Sequence, residues 1–437
     1  MKRWFWLALI LPIAIWLISM LAQGGPGSDF WTLRGNSIIL SGIVAYSLMA
    51  LITLLATRPM SLEDLLGGLD QSYRLHKWLG ISAGVLVFVH WMMEIVPKSM
   101  AKAGWLTRPA KSGNAPERVF EFLRDPAKDI GEWLGYIAIT LVLLALIKYI
   151  PYHWFRRLHK AFPLLFIAAT FHAIVLLPDA LWPTLTGAWV MLAALVGCLA
   201  ALAILFGLDQ RGKYYTGSVQ DIVRHADGVM EIHCRMDDDR LRFKPGQFAF
   251  VRFANTRDPH PFSIASSDTD PRTISFCVKV LGDDTSRLMQ SLAIGSRMQL
   301  EGPYGRFTFA NSDGAQVWVG GGVGVAPFIS RLEHLAANPA AQRSDSDLHF
   351  FFCTPEQSPL NRRVADLCQR AGVHLHLIHQ SRDGNLDLEK IRATTGGLDD
   401  TSLWFCGPFG LGDRLLQDWS ACGLPETGFH REYFKIR

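Results

Sequence analysis

The sequence has few charges for its length and no strong excess of either sign. Asp, Glu, Lys and Arg together make up 19% of 437 residues, and 43 basic side chains against 39 acidic ones leave a net charge of +4. Without basic blocks there is no case for a nucleic-acid partner. Cysteine is scarce and scattered, with seven residues at 198, 234, 277, 353, 368, 406 and 422. There is no C-x-x-C pair and no Cys/His zinc spacing, so neither a zinc ribbon nor an iron–sulfur centre is indicated. No Cys falls in the segments assigned below to the outer side of a membrane, which argues against a disulfide framework. Polarity is also short. Apolar residues reach 49% and mean hydropathy is +0.17, which excludes disorder, collagen and coiled coil and argues against an ordinary soluble enzyme. At about 100–200 residues per domain the length allows two to four units.

What is present is divided sharply near residue 210. Before it lie six long apolar stretches: Trp4–Ala22, Ser37–Thr57, His76–Val96, Trp133–Ile150, His159–Leu177 and Ala188–Leu208. A helix needs about 20 residues to cross a hydrocarbon core of about 30 Å. One such stretch suits a buried core helix, but six in succession predict a six-helix bundle in a lipid bilayer. The first follows Lys2-Arg3 and is read as a retained helix, because its apolar run is long and no A-x-A site follows at Leu21-Ala22-Gln23. Lys2, Arg3, Arg58, Arg74, Arg156, Arg157, Lys160, Arg211 and Lys213 all fall on one face, which the charge bias makes cytoplasmic. The 98–130 loop conflicts with this. It falls on the outer face yet carries Lys98, Lys102, Arg108, Lys111, Arg118, Arg124 and Lys128, diluted by Glu117, Glu121, Asp125 and Asp129. The nucleotide chemistry of the second half, below, decides the orientation.

Four histidines in the membrane half form a pattern. His76 and His90 share the third stretch, and His159 and His172 share the fifth. These two stretches run in the same direction, so His76 pairs in depth with His159, and His90 with His172 about 20 Å further across. Ionisable groups inside a bilayer are costly and mark function. Imidazole pairs without Cys, Asp or Glu beside them suit haem iron with two axial nitrogens rather than zinc. The spacing from His76 to His90 returns to within about 40° on an ideal helix, whereas that from His159 to His172 misses by about 140°. Pro163 breaks the hydrogen-bond ladder just after His159, so the pairing requires a kink or π-bulge there.

The second half changes rhythm twice. Short alternating runs at Tyr214–Val219, Val229–Arg235, Phe248–Phe253, Thr273–Val280 and Met298–Gly302 predict a small antiparallel barrel. From 316 onward, runs at Val317–Val319, Leu348–Cys353, His374–His379 and Leu403–Cys406 alternate with helical segments, which predicts a parallel α/β sheet. The first of these strands runs into Gly320-Gly321-Gly322-Val323-Gly324-Val325-Ala326-Pro327 and then an apolar helix. Such a run lets backbone approach phosphate at a helix N-terminus, although Pro327 stands where the dinucleotide fingerprint has Gly or Ala.

Several motifs then carry a resemblance. They are Lys244-Pro245-Gly246-Gln247-Phe248, His260-Pro261-Phe262-Ser263-Ile264-Ala265-Ser266, Gly302-Pro303-Tyr304-Gly305, the G-x-G-x-x-P from Gly322 to Pro327, and Cys406-Gly407-Pro408. With them, residues 212–437 resemble the ferredoxin–NADP reductase superfamily, and the whole order resembles a bacterial NADPH oxidase or ferric reductase. The resemblance implies a ferric reductase-like transmembrane domain over 1–211, an FAD-binding antiparallel β-barrel over 212–310 and an NAD(P)H-binding α/β domain over 311–437.

It also implies roles. His260, Pro261, Phe262, Ser263, Ser266 and Thr285 would hold FAD, with Ser263 near the ring nitrogen that receives hydride; Thr285 equally suits a helix cap. Gly321, Gly322, Gly324, Pro327, Gly407 and Pro408 would cradle the nucleotide. Cys406 would lie beside the nicotinamide, though a buried core thiol is the simpler reading of that residue alone. Glu432 and Phe434 would close the flavin site, and Ser381 with Arg382 would read an adenosine 2′-phosphate, favouring NADPH over NADH. His76, His90, His159 and His172 would ligate two b-type haems. The implied activity is electron transfer from cytosolic NAD(P)H to a ferric chelate or O2 beyond the inner (cytoplasmic) membrane, with the FAD/NAD(P)H half in the cytoplasm and no obligate protein partner evident. The alternative is an electron-transfer component that reduces a specific protein or quinone.

Overall fold

A computed structural model describes residues 1–25, 27–107, 120–147, 152–208, 214–225, 228–256, 258–280, 282–309, 315–338 and 348–431. The chain divides into two compact units, Met1–Arg211 and Gly212–Ile436.

The first unit is helical: α1 Lys2–Ala22, α2 Phe30–Ala56, α3 Met60–Leu66, α4 Leu69–Lys102, α5 Arg124–Leu146, α6 Tyr152–His159, α7 Phe162–Leu176 and α8 Leu185–Leu205. Six helical segments are long and apolar enough to cross a membrane, one for each apolar stretch of the sequence. Asp29 caps α2 by accepting from the Trp31 and Thr32 amides. The buried face of α8 is built from small residues, among them Gly187, Ala193, Ala194, Gly197, Ala200 and Ala201. In lipid, close approach of small faces replaces the hydrophobic effect between helices. Side-chain hydrogen bonds add to it: Thr186 Oγ1 donates to Ser19 Oγ at 2.9 Å, joining α8 to α1, and Trp189 Nε1 donates to Ser47 Oγ at 2.9 Å, joining α8 to α2. The outward surface carries Leu164, Leu195 and Leu199, all more than half exposed.

Two boundaries differ from the sequence reading. Helix α4 continues through Pro97 to Lys102, so Lys98 and Lys102 extend the third span instead of opening the outer loop; Arg108, Lys111 and Arg118 of that loop lie outside the described residues. The fifth stretch is two helices. A turn at Lys160–Ala161 separates α6 from α7, and Pro163 occupies the first turn of α7. Proline fits there because the amide it lacks has no intrahelical acceptor. The expected kink or bulge is therefore a complete break.

The second unit holds two sheets. Strands β1 Tyr214–Arg224, β2 Val229–Met236, β3 Phe248–Phe253, β4 His260–Ser263, β5 Thr273–Lys279 and β6 Arg297–Tyr304 form an antiparallel sheet of order β4-β3-β6-β1-β2-β5. A bridge between Ile264 and Phe276 brings its two edges together, so the sheet is nearly closed. Inside lie Val219, Met230, Ile232, Val251, Phe253, Phe276, Met298 and Leu300. Helix α9 Asp283–Ser291 precedes β6.

The second sheet uses β7 Gln316–Gly321, β8 Leu348–Cys353, β9 His374–Ile378, β10 Ser402–Cys406 and β11 Phe429–Arg431, all parallel, in the order β11-β10-β7-β8-β9. Helices α10 Ala326–Ala337, α11 Leu360–Ala371, α12 Gln380–Asp383, α13 Leu388–Thr395 and α14 Phe409–Ala421 connect and cover it. The chain steps outward from β7 to β9 and then returns to the other side of β7, so the strand order reverses between β7 and β10. Ligands of open parallel sheets bind at that reversal, beyond the carboxyl ends of the strands.

Candidate functional site

The four membrane histidines meet as two pairs. The ring centres of His76 and His159 are 5.9 Å apart, and those of His90 and His172 are 6.3 Å apart. With metal–nitrogen bonds of about 2 Å, two imidazoles on opposite sides of one metal have ring centres about 6 Å apart. The backbone orients the rings. His90 Nδ1 lies 2.9 Å from the Ile38 carbonyl oxygen, and His172 Nδ1 lies 2.8 Å from that of Ala127. A carbonyl only accepts, so Nδ1 carries the proton and Nε2 keeps the lone pair needed for a metal. The backbone carbonyl of Ile52 faces the His76 ring. Ile38 and Ile52 are both on α2 and are spaced by the same number of residues as His76 and His90 on α4. One helix therefore presents a carbonyl toward a histidine at each level.

Close approach makes the His90–His172 pair possible. A Cβ added to Gly131 of α5 would stand 2.1 Å from the His172 ring, and one added to Gly42 would stand 3.1 Å from that of His90. His159 packs between Phe155 and Phe162, with ring centres at 5.0 and 4.8 Å. A shallow apolar recess lies beside it, bounded by Leu141, Leu144 and Leu158. Neutral nitrogens in apolar surroundings are the donor set that suits haem iron, so the residues fit the expected group.

In the barrel, the flavin motif is strand β4, paired antiparallel to β3 with His260 opposite Val251 and Ser263 opposite Phe248. His260 Nε2 is buried without a hydrogen-bond partner among the described residues and stands 3.4 Å from Asp284 Oδ2. Thr285 Oγ1 accepts from the Gly282 amide at 3.1 Å, closing the first turn of α9. Ser266 does structural work: its hydroxyl accepts from the Ser275 amide, and its carbonyl accepts from Ser330 Oγ of α10 at 2.6 Å.

At the strand reversal, the glycine run and the Cys406-Gly407-Pro408 segment touch backbone to backbone. A Cβ at Gly324 would lie 2.3 Å from the Cys406 carbonyl oxygen, so only glycine permits the contact. Cys406 pairs with Gly320 across β10 and β7 and is half-buried. The turn at Gly322–Val325 leads into α10, with Pro327 in its first turn. Ser381 and Arg382 lie in α12, after β9 at the sheet edge. The Arg382 fork is held by Asp383, at 2.9 Å from Nε and 3.1 Å from Nη2. That contact holds the Asp383 carboxyl down to about 2. Glu432 and Phe434 lie outside the described residues. Burial pushes the thiols of Cys234, Cys277 and Cys368 up to about 12 and that of Cys353 to about 11, which leaves them inert.

Sequence reasoning missed the supporting residues: Gly131, Gly42, the Ile38 and Ala127 carbonyls, and Asp284. Only Asp383 left a signal, as an acid adjacent to the arginine it holds.

Comparison with known proteins finds a family match in each half of the chain. Residues 41–170 match the family of the ferric reductase like transmembrane component, and residues 215–308 match an FAD-binding domain. The reductase component of propane 2-monooxygenase from Rhodococcus jostii (strain RHA1) is 30% identical over 210 residues, covering 44% of this chain and 55% of that protein. A heavy chain of the superoxide-generating NADPH oxidase of Dictyostelium discoideum is 26% identical over 157 residues, covering 30% of this chain and 22% of its own length. The chain thus spans about half or less of these relatives. A flavohemoglobin structure from Malassezia yamatoensis, with bound FAD and haem, aligns with a TM-score of 0.49 at 16% identity, covering 92% of this chain and 98% of that one.

Proposed function

We propose that this oxidoreductase, a ferric reductase like transmembrane domain joined to an FAD-binding module, carries electrons from cytoplasmic NADPH (or NADH) through FAD and two bis-histidine b-type haems to an acceptor at the opposite membrane face. The acceptor is a ferric chelate or dioxygen, which would yield superoxide. On this reading the membrane is the inner one, the domain limits are 1–211, 212–310 and 311–437, and the last two domains are cytoplasmic. The observation that carries it is the pairing of four imidazoles at two levels, with the His90 and His172 Nδ1 atoms each on a backbone carbonyl so that Nε2 is the ligating nitrogen.

When bound, FAD exchanges electron pairs for single electrons and the haems carry single electrons. The chain itself binds, orients and excludes water. His76 and His159 would hold one iron, and His90 and His172 the other. His260, Pro261, Phe262, Ser263, Ser266 and Thr285 form the flavin set. Gly321, Gly322, Gly324 and Pro327 would receive nucleotide phosphate at the start of α10, where backbone amides and the helix dipole favour an anion. Cys406, Gly407 and Pro408 face that turn from β10 and would flank the nicotinamide. Ser381 and Arg382 would meet the adenosine 2′-phosphate, and Glu432 with Phe434 would complete the flavin site.

A second reading has support in the Rhodococcus relative, a reductase component by name. On that pattern this chain would serve as an electron-transfer component for a partner protein or a quinone. The test is the visible spectrum of the purified protein before and after anaerobic NADPH, followed by reoxidation. Paired b-type bands with haem near two per chain are expected. Reoxidation by air with superoxide indicates the oxidase, by ferric citrate alone the reductase, and by neither the partner-dependent carrier. A yellow protein without haem bands would overturn the proposal.

A further inference from the structure

The barrel and the parallel sheet meet across an apolar surface that contains one ionic cluster. The outer faces of β2 and β5 contribute Val229 and Cys277 to the same core as Trp318, Phe328, Ile329 and Leu332 of the parallel-sheet domain. Glu231 lies on that face, opposite Cys277 in the β2–β5 ladder, and its side chain is 6% exposed. The Arg363 guanidinium of α11 reaches it through Nη1 and reaches Glu333 of α10 through Nη2, the latter at 2.8 Å. His225, just past the end of β1, holds the other Glu231 oxygen at 2.8 Å.

The chain of contacts continues toward both cofactor motifs. The second Glu333 oxygen accepts from the Ser267 amide at 3.0 Å. Ser330 Oγ, three residues earlier in α10, donates to the Ser266 carbonyl, and His334 Nδ1 stands 2.5 Å from Asp268 Oδ1. Three successive residues after the flavin strand are thus tied to one helix, and that helix begins at the nucleotide turn. Burying these charges opposes stability, because their desolvation is only offset by good pairing. An apolar contact of the same size would hold the domains together as well. What the guanidinium adds is a planar fork of fixed angle, which an apolar surface that can slide does not supply.

We propose that Arg363 is a positioning residue for hydride transfer: by bridging Glu231 of the barrel and Glu333 of α10 it fixes the angle at which the nucleotide site faces the flavin site. The inference rests on the proposed NAD(P)H–FAD reading. In the step it serves, the nicotinamide C4–H bond breaks, and the hydride, a proton with two electrons, forms an N–H bond at flavin N5. The nucleotide is oxidised to its cationic form, and the flavin is reduced to its anionic hydroquinone.

The test is anaerobic stopped-flow reduction of FAD in the full chain, with protiated and C4-deuterated NADPH and NADH. Arg363→Met is expected to slow flavin reduction at saturating nucleotide at least tenfold. The deuterium effect should rise, while FAD content and nucleotide affinity stay within twofold, and Arg363→Lys should restore part of the rate. Because Arg363→Met leaves buried carboxylates unpaired, the triple variant Glu231→Gln/Arg363→Met/Glu333→Gln is measured beside it. Wild-type rate and isotope effect in the triple variant would overturn the proposal. So would loss of FAD or a collapsed melting transition in that variant, since the cluster would then be structural. Failure of the wild-type chain to be reduced by either nucleotide would instead refute the underlying reading.

Discussion

Gly131 offers a sharp test of the His90–His172 pair. Gly131→Ala puts a methyl carbon 2.1 Å from two atoms of the His172 ring, where carbon contacts are normally about 3.5–4 Å. The ring must retreat by more than an ångström, and its hydrogen bond to the Ala127 carbonyl, now 2.8 Å long, is lost. The lost bond costs about 1 kcal/mol and the overpacking about 1–3 kcal/mol, against a helix-propensity gain of about 1 kcal/mol. The larger effect falls on the metal. Loss of an orienting partner typically weakens a site about 10–100-fold, and here the nitrogen is displaced as well. On the proposed two-haem reading, purified Gly131→Ala should therefore fall from two haems per chain toward one, measured by pyridine haemochrome against protein. The internal control is Gly135→Ala, one turn along α5, where an added Cβ meets nothing within 4 Å. It should keep both haems and melt slightly higher. Gly42→Ala, with a 3.1 Å contact to the His90 ring, should be intermediate. Two haems with an unaltered spectrum in Gly131→Ala would refute the assignment of His172.

Other expectations follow from the same geometry. His90→Ala should leave flavin reduction by NADPH intact and abolish delivery to an impermeant acceptor outside, in proteoliposomes loaded with nucleotide. Asp383→Asn should free the Arg382 fork and shift the NADPH-to-NADH preference about tenfold toward NADPH, the size of one charge-assisted hydrogen bond, read as a ratio of kcat/KM. Because Arg382 depresses the Asp383 carboxyl to about 2, the stability the clamp supplies is complete above about 3.8 and fades only as pH falls toward about 2. A carboxyl NMR titration with its midpoint above 4 would contradict the clamp. Maleimide should label exposed Cys422 readily and leave buried Cys234, Cys277 and Cys368 unmodified until the chain is unfolded; labelling of those three in the native protein would show their burial to be wrong.

What the residues disclosed in advance was whatever local pattern can encode. Six apolar lengths, the histidine spacing, the alternation of the barrel strands and the glycine run before α10 are all periodicities of neighbouring residues. The misses share a different origin. Strand β4 contains Pro261 and lies at a sheet edge, where proline is tolerated because no partner needs its amide. Strand β11 has three residues and exists only through pairing with β10. Helix α4 passes Pro97, which would end a helix in water but is accommodated more readily in a bundle in lipid. Gly131 and the Ala127 carbonyl matter only because α5 packs against α7, about 40 residues further along the chain. No window of the sequence contains both partners.

The pairing of Ile38 and Ile52 with His90 and His76 has a consequence for which changes this bundle tolerates. The two contacts use main-chain atoms and so do not depend on the isoleucine side chains, whereas Gly42 and Ser47 between them are held by the His90 ring and by Trp189. A single inserted or deleted residue in that stretch of α2 would turn one carbonyl about 100° away from its imidazole while the other stayed in place. Length between these points is therefore constrained separately from side-chain identity, like the distance between two rungs cut to match a second ladder.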